Sequence, residues 1–278
     1  MLATAVIVFR EVLEAALVIG IVAAAARTVP GRNRWLAVGI CAGVLGAVVV
    51  AALTGRIAEM ASGIGQELFN AAVLALAVAM LAWHNLWMSA HGQSLAAEAR
   101  AVGAAVSEGR RARSVLATVV GLAVLREGSE LALFLYGIAA AEGGASLPML
   151  AGGVVGCAAG VATGYVLYAG LLRIPLRWFF QATGVLVLFL AAGLASQATR
   201  FLIQADVIPS LATPLWDSSR LLPPDSIVGT LLHSLIGYDA RPAAMQVIVY
   251  ATVLAVIASG MAWVARTPSQ VPTGRVAA

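Results

Sequence analysis

Long apolar runs broken by short polar, arginine-bearing turns set the pattern of this chain. Seven such runs cover residues 2–26, 35–55, 67–89, 114–140, 147–172, 178–198 and 243–265. At about 1.5 Å rise per residue, a helix of each length crosses a hydrocarbon core about 30 Å thick. A membrane barrel would instead alternate apolar and polar positions over segments of roughly ten residues. The pattern therefore predicts an all-α integral membrane protein with seven transmembrane helices. No basic stretch precedes the first run, and Arg10, Glu11 and Glu14 lie inside it. It is read as an uncleaved first helix rather than a signal peptide.

The turns assign an orientation. Arg27, Arg32, Arg34, Arg100, Arg110, Arg111, Arg113, Arg173, Arg177, Arg266 and Arg275 fall on one side of the seven-span path, against Arg56, Arg200, Arg220 and Arg241 on the other. Excess arginine marks the cytoplasmic side, so the N-terminus is expected outside and the C-terminus in the cytoplasm. Glu59, Glu67, Glu142, Asp206, Asp217, Asp225 and Asp239 then lie on the outer side. They are ordinary solvated loop charges or a negative vestibule that gathers cations.

Two connections exceed the usual length. Residues 90–113 read as a cytoplasmic amphipathic or loosely helical linker. Residues 199–242, with five prolines and interspersed aromatic residues, read as an ordered outer loop folded back on the bundle.

Composition agrees with lipid as the solvent. Of 278 residues, 61% are hydrophobic and 11% charged, with a mean hydropathy of +0.94. That is too much apolar surface for one soluble core. The net charge of +4 comes with positive loops, not with a basic face for nucleic acid. Cys41 and Cys157 sit in apolar stretches and read as small packing residues.

Six charged residues stand inside the runs, away from their ends: Arg10, Glu11, Glu14, Arg126, Glu127 and Glu130. Left unpaired in lipid, such a set would cost roughly 15–20 kcal/mol. They must therefore face one another, water or an ion. Both triplets have the form Arg-Glu-x-x-Glu, as Arg10-Glu11-Val12-Leu13-Glu14 and Arg126-Glu127-Gly128-Ser129-Glu130. Residues three and four apart share a helix face, so each helix offers a carboxylate pair with an arginine one turn away. The motifs are 116 residues apart, and Cys41 and Cys157 repeat that offset. Two helices lie between the two motif-bearing runs, the first and the fourth, which therefore point in opposite directions.

This is the signature of a 3+3 inverted repeat with its site at the repeat interface, plus one extra helix. The expected organisation is a single permease domain. Repeat one covers about residues 1–89 and the linker about 90–113. Repeat two covers about 114–198, the outer loop about 199–242 and the last helix about 243–265.

Four carboxylates and two guanidiniums sum to −2, which a divalent cation would neutralise. Carboxylate oxygens suit iron, manganese, magnesium or calcium better than Cu⁺. The alternative is a pair of structural salt bridges. His84 and Asn85, with Trp83 and Trp87, read first as an interface belt and second as part of an exit path. His91 reads as a loop residue, Gln181 and Gln197 as path-lining or interhelical residues, and Asp217, His233 and Asp239 as an outer vestibule. The glycines at 152, 156, 160 and 164, and at 39 and 43, are packing stripes.

The sequence resembles the oxidase-dependent iron transporter family, the fungal iron permeases and their bacterial Efe-type counterparts. That family carries Arg-Glu-Gly-Leu-Glu in its first and fourth helices. Here valine replaces glycine at Val12 and serine replaces leucine at Ser129. Leu215-Trp216-Asp217-Ser218-Ser219 and Leu232-His233-Ser234-Leu235-Ile236-Gly237-Tyr238 also resemble the outer loop of bacterial members.

The resemblance implies iron import across the cytoplasmic membrane. Glu11, Glu14, Glu127 and Glu130 would be the metal ligands or relay sites. The cargo would be Fe²⁺ or Fe³⁺, with no permanently bound cofactor. The implied partners are membrane lipid, a periplasmic iron-binding protein and a haem peroxidase or other oxidase, and no nucleic acid. Two other readings are a transporter of another cation or a proton-coupled exchanger, and a membrane enzyme with a carboxylate-bound metal. The second lacks the Glu-x-x-His motif of di-iron bundles.

Overall fold

The computed structural model describes residues 1–61, 65–142, 144–170, 176–224 and 226–266. Among them are eight helices: α1 (Leu2–Ala25), α2 (Arg32–Ala61), α3 (Gln66–Ser107), α4 (Ser114–Glu142), α5 (Leu147–Tyr168), α6 (Leu176–Gln204), α7 (Ile227–Ile236) and α8 (Ala244–Arg266). Five stretches within α2, α3, α5, α6 and α8 are long and apolar enough to cross a membrane. α1 and α4 are 24 and 29 residues long and carry the Arg-Glu-x-x-Glu motifs. The protein is an integral membrane helical bundle. Val38, Leu45, Val48, Val154, Val155 and Val161 are exposed on α2 and α5, an apolar face that lipid covers at no cost.

Helix ends follow local chemistry. Ser146 caps α5 by accepting a bond from the Met149 amide, with proline in the first turn. Ser226 caps α7 through the Gly229 amide, and Gly237 ends that helix at φ +71°, a conformation that favours glycine. Two side chains satisfy carbonyls at the end of α1: Arg32 Nη1 donates to Ala23 O (2.8 Å) and Ser107 Oγ donates to Ala25 O (2.9 Å).

α3 is the longest element, 42 residues, roughly 63 Å at the α-helical rise. Much of the stretch read as a linker is therefore a continuation of the third helix. No proline interrupts residues 66–107, and the far end is rich in alanine, the strongest helix former. Ala99 and Val106 on this extension are buried against Val22, Ala26, Leu36 and Leu116.

The principal contacts are α1 with α5, α2 with α4, and α3 with α6. Two apolar clusters divide the core along its length. One joins Ala3 and Ile7 of α1, Leu74 and Leu81 of α3, Phe134 and Ile138 of α4, and the middle of α6. The other joins Val22 and Ala23 of α1, Ala99 and Val106 of α3, and Leu116, Val120 and Val124 of α4. The start of α1 thus meets the end of α4, and the end of α1 meets its start. The two motif helices are antiparallel, α3 runs with α1, and both motifs lie between the clusters.

The segment after α6 is held by backbone bonds from Leu215 N to Pro242 O (2.8 Å), Ser218 N to Ala240 O (3.0 Å) and Ala244 N to Ala212 O (2.9 Å). α7 folds back onto α6, where Gly193 and Gly237 meet so closely that a Cβ on Gly193 would stand 2.8 Å from Gly237 Cα.

Candidate metal site

The site begins with the internal geometry of each motif. Arg10 Nε lies 3.0 Å from Glu14 Oε1, and its Nη1 lies 3.8 Å from Glu11 Oε1. Arg126 Nε lies 3.2 Å from Glu130 Oε1 and 3.7 Å from Glu127 Oε1. Each arginine reaches forward one turn, as the i,i+4 spacing dictates. The surroundings of the two motifs differ. The Arg10 side chain is 3% exposed and that of Arg126 is 35% exposed. Arg126 lies over the Trp87 ring, 4.2 Å from its centroid, a cation–π contact that holds the partly open guanidinium.

The antiparallel packing of α1 and α4 brings the carboxylates together, and α3 adds a residue read from the sequence first as part of an interface belt and second as part of an exit path. His84 is 2% exposed. Its Nε2 stands 3.3 Å from Glu14 Oε2, and its Nδ1 contacts Glu130 Oε2. Donor atoms of Glu11, His84, Glu127 and Glu130 all lie within 4.8 Å of one another. Two donors on opposite sides of a first-row metal ion stand about 4–4.5 Å apart, so this cluster has the dimensions of a metal site. Both oxygens of Glu11 and Glu14, Oε2 of Glu127 and of Glu130, both ring nitrogens of His84, and Nε and Nη1 of Arg10 are buried without a well-directed hydrogen bond. Buried polar atoms are normally satisfied, and the carboxylate and imidazole donors of this cluster have the chemistry to hold a cation.

Two further polar groups lie nearby. Thr4 is 1% exposed, its hydroxyl makes no hydrogen bond, and it lies two turns before Glu11 on the same face of α1. Asn85, next to His84, serves the scaffold: its Nδ2 donates to Gly184 O at 3.0 Å and joins α3 to α6. Trp83 is exposed on the outside of the bundle.

The motif departures have local explanations. Ser129 Oγ donates to Leu125 O of its own helix at 2.6 Å, which keeps the hydroxyl off the site. Val12 packs against α5 where Gly160 leaves room.

The candidates of the outer segment stand apart from the carboxylate cluster. Asp217 pairs with Arg241 Nε at 3.0 Å and accepts from the Ser219 amide (3.0 Å) and hydroxyl (2.5 Å). The Ser219 bonds, then Arg241, hold its carboxyl down at about 2. Asp239 accepts from the Arg241 amide at 3.0 Å, and His233 Nδ1 bonds Tyr238 O at 2.7 Å. Asp225 and the side chains of Glu59, Glu142, Gln181, His91 and Ser234 lie outside the described residues.

Known proteins resemble this chain over nearly its whole length. The description "Iron permease FTR1 family" matches residues 1–267. The ferrous iron permease EfeU of Escherichia coli O6:H1 is 32% identical over 254 residues, covering 88% of this chain and 89% of that protein. The ferrous iron permease EfeU of Yersinia pestis is 30% identical over 249 residues, covering 88% and 87%. No solved structure matches. A membrane bundle of this helical make-up, matched over most of its length by permeases, is a transporter and not an enzyme: the chain belongs to the iron permease FTR1 family.

Proposed function

We propose that this chain imports iron across the cytoplasmic membrane through a site built from the two Arg-Glu-x-x-Glu motifs. The observation that carries the reading is the convergence of Glu11, Glu127 and Glu130, from antiparallel helices, within 4.8 Å of one another and between two apolar clusters. Glu11, Glu14, Glu127 and Glu130 hold or relay the ion, and Arg10 and Arg126 hold Glu14 and Glu130 in place. The formal sum of −2 favours a divalent cargo, and the relatives at 30–32% identity are named ferrous iron permeases. Oxygen donors of this type accept Fe²⁺.

The architecture in this reading has seven spans, α1 to α6 and α8, with the N-terminus outside and the C-terminus in the cytoplasm. α1–α3 and α4–α6 form the inverted repeat, and α8 is the extra helix. The antiparallel motif helices and the reciprocal pairing of α1 with α5 and α4 with α2 support it. The segment that contains α7, with Asp217, His233 and Asp239, faces outward as the entry vestibule. There a periplasmic iron-binding protein and a haem peroxidase or other oxidase would deliver the ion. The two apolar clusters close the site from both sides, so transport requires one to open at a time.

The test is radioactive iron uptake in cells that lack their own importers. Wild type is compared with Glu11→Gln, Glu14→Gln, Glu127→Gln and Glu130→Gln at matched membrane abundance. Uptake by wild type and its loss in the variants is the expected result. Normal uptake in all four variants would move the path elsewhere in the bundle.

A further inference from the structure

We infer that His84 is a nitrogen ligand to the transported ion, and that the mixed imidazole–carboxylate site it completes selects iron over Mg²⁺ and Ca²⁺. The inference rests on the iron-site reading above and deepens it.

The geometry assigns different tasks to the two ring nitrogens. Nδ1 faces Glu130, one of the carboxylates of the donor cluster, whereas Nε2 faces Glu14 Oε2 at 3.3 Å. A metal-bound histidine ordinarily gives its other N–H to a carboxylate, which fixes the ring and the tautomer. Glu14, itself held by Arg10 at 3.0 Å, stands where that carboxylate belongs. The donors around the ion are then His84, Glu11, Glu127 and Glu130, and Glu14 is a positioning residue. Burial at 2% exposure leaves His84 no role with solvent. The other two histidines of the chain are His91 and His233, and no histidine stands on α6, the helix that corresponds to α3 in the second repeat. The nitrogen donor therefore comes from one repeat alone.

The chemical consequence is selectivity. An all-carboxylate cage suits Mg²⁺, Ca²⁺ and Mn²⁺ as well as iron, and its discrimination rests on size. Imidazole binds later first-row ions and has little affinity for the alkaline earths. Outside the cell, Mg²⁺ and Ca²⁺ far exceed free iron. One nitrogen donor lowers their occupancy without changing the charge of the site.

The test uses the full chain purified in lipid nanodiscs and loaded with Mn²⁺ alone as a paramagnetic probe. Pulsed electron paramagnetic resonance is expected to show a directly bound histidine nitrogen. Labelling only the histidines with ¹⁵N should convert that signal in the wild-type protein, with no substitution needed. The signal should vanish in His84→Gln and persist in His233→Gln. In cells, Ca²⁺ should inhibit iron uptake by His84→Gln on the order of tenfold more strongly than uptake by wild type. Bound Mn²⁺ with no histidine coupling, or a coupling that survives in His84→Gln, would overturn this inference alone. Failure of the wild type to bind Mn²⁺ or Fe²⁺, together with normal uptake in the glutamate variants, would overturn the site reading and the inference with it.

Discussion

Val12 of α1 lies directly against Gly160 of α5: a Cβ on Gly160 would come within 2.9 Å of Val12 Cβ and 3.0 Å of Phe9 O. The counterpart of Val12 in the second motif, 116 residues on, is Gly128. There the arrangement is reversed, and a Cβ on Gly128 would meet Ala47 Cβ of α2 at 2.6 Å. At the third position of each motif, the glycine of the contact thus stands once on the neighbouring helix and once on the motif helix. This explains how valine fits at the third position of the first motif while glycine stands there in the second. It also predicts that Gly160→Ala destabilises the fold by about 1–3 kcal/mol through overpacking. Adding Val12→Gly should restore part of the loss, because the Phe9 carbonyl still crowds the new methyl. A double-mutant cycle of thermal stability in detergent measures it, and strict additivity would refute the contact.

The two arginines should tolerate removal differently. Arg10→Met leaves Glu11 and Glu14 buried beside no cation of their own motif, a loss of about 3–5 kcal/mol for a broken buried pair. Arg126 is partly open to its surroundings, so Arg126→Met should cost clearly less. The fraction of monodisperse protein after mild heating reports the order, and equal losses would contradict it.

Trp87 should act through Arg126. Trp87→Leu removes the ring under the guanidinium, a contact worth about 0.5–2 kcal/mol. Trp87→Phe should retain most of it. The expected readout is a raised half-saturation for iron uptake in the leucine variant and a near-normal value in the phenylalanine variant. Equal behaviour of the two would remove the cation–π contact from the mechanism.

The Asp217–Arg241 clasp of the outer segment carries a pH signature. Hydrogen bonds from Ser219, then Arg241, depress the Asp217 carboxyl to about 2 from 3.8. A depressed acid contributes its stabilisation above its unfolded value and loses it as pH falls through the folded one. The environment of the neighbouring Trp216 should therefore stay constant from about pH 7 to about pH 4 and change only below that. In Asp217→Asn the acid-dependent step should be absent. Trp216 fluorescence, with the other tryptophans replaced, follows it, and a transition near neutral pH would break the link to Asp217.

Much of this molecule is legible in one dimension. Apolar runs of membrane length announce a helical membrane protein, because lipid leaves the backbone no partner but itself. The Arg-Glu-x-x-Glu spacing fixes the ion pairs inside each motif, since the i,i+3 and i,i+4 neighbours on a helix are a local property. The long extension of α3 and the role of His84 were not legible in that way. A linker and a docked helix share the same alanine-rich, charged composition, and it is residues far away in sequence, Val22, Ala26, Leu36 and Leu116 among them, that give the extension an apolar surface to cover.

His84 lies 70 residues from Glu14 and 46 from Glu130. Its helix is apolar on nearly every side, so no amphipathic stripe tells which face turns inward. A histidine flanked by Trp83 and Trp87 looks like a membrane-interface residue until packing decides. The sequence by itself determined the medium, the helices and the carboxylate pairs, all of which depend on spacing along the chain. Only the tertiary structure decided that α3 turns His84 between the two motifs, because the meeting of three helices depends on side-chain volumes at contacts far apart in sequence.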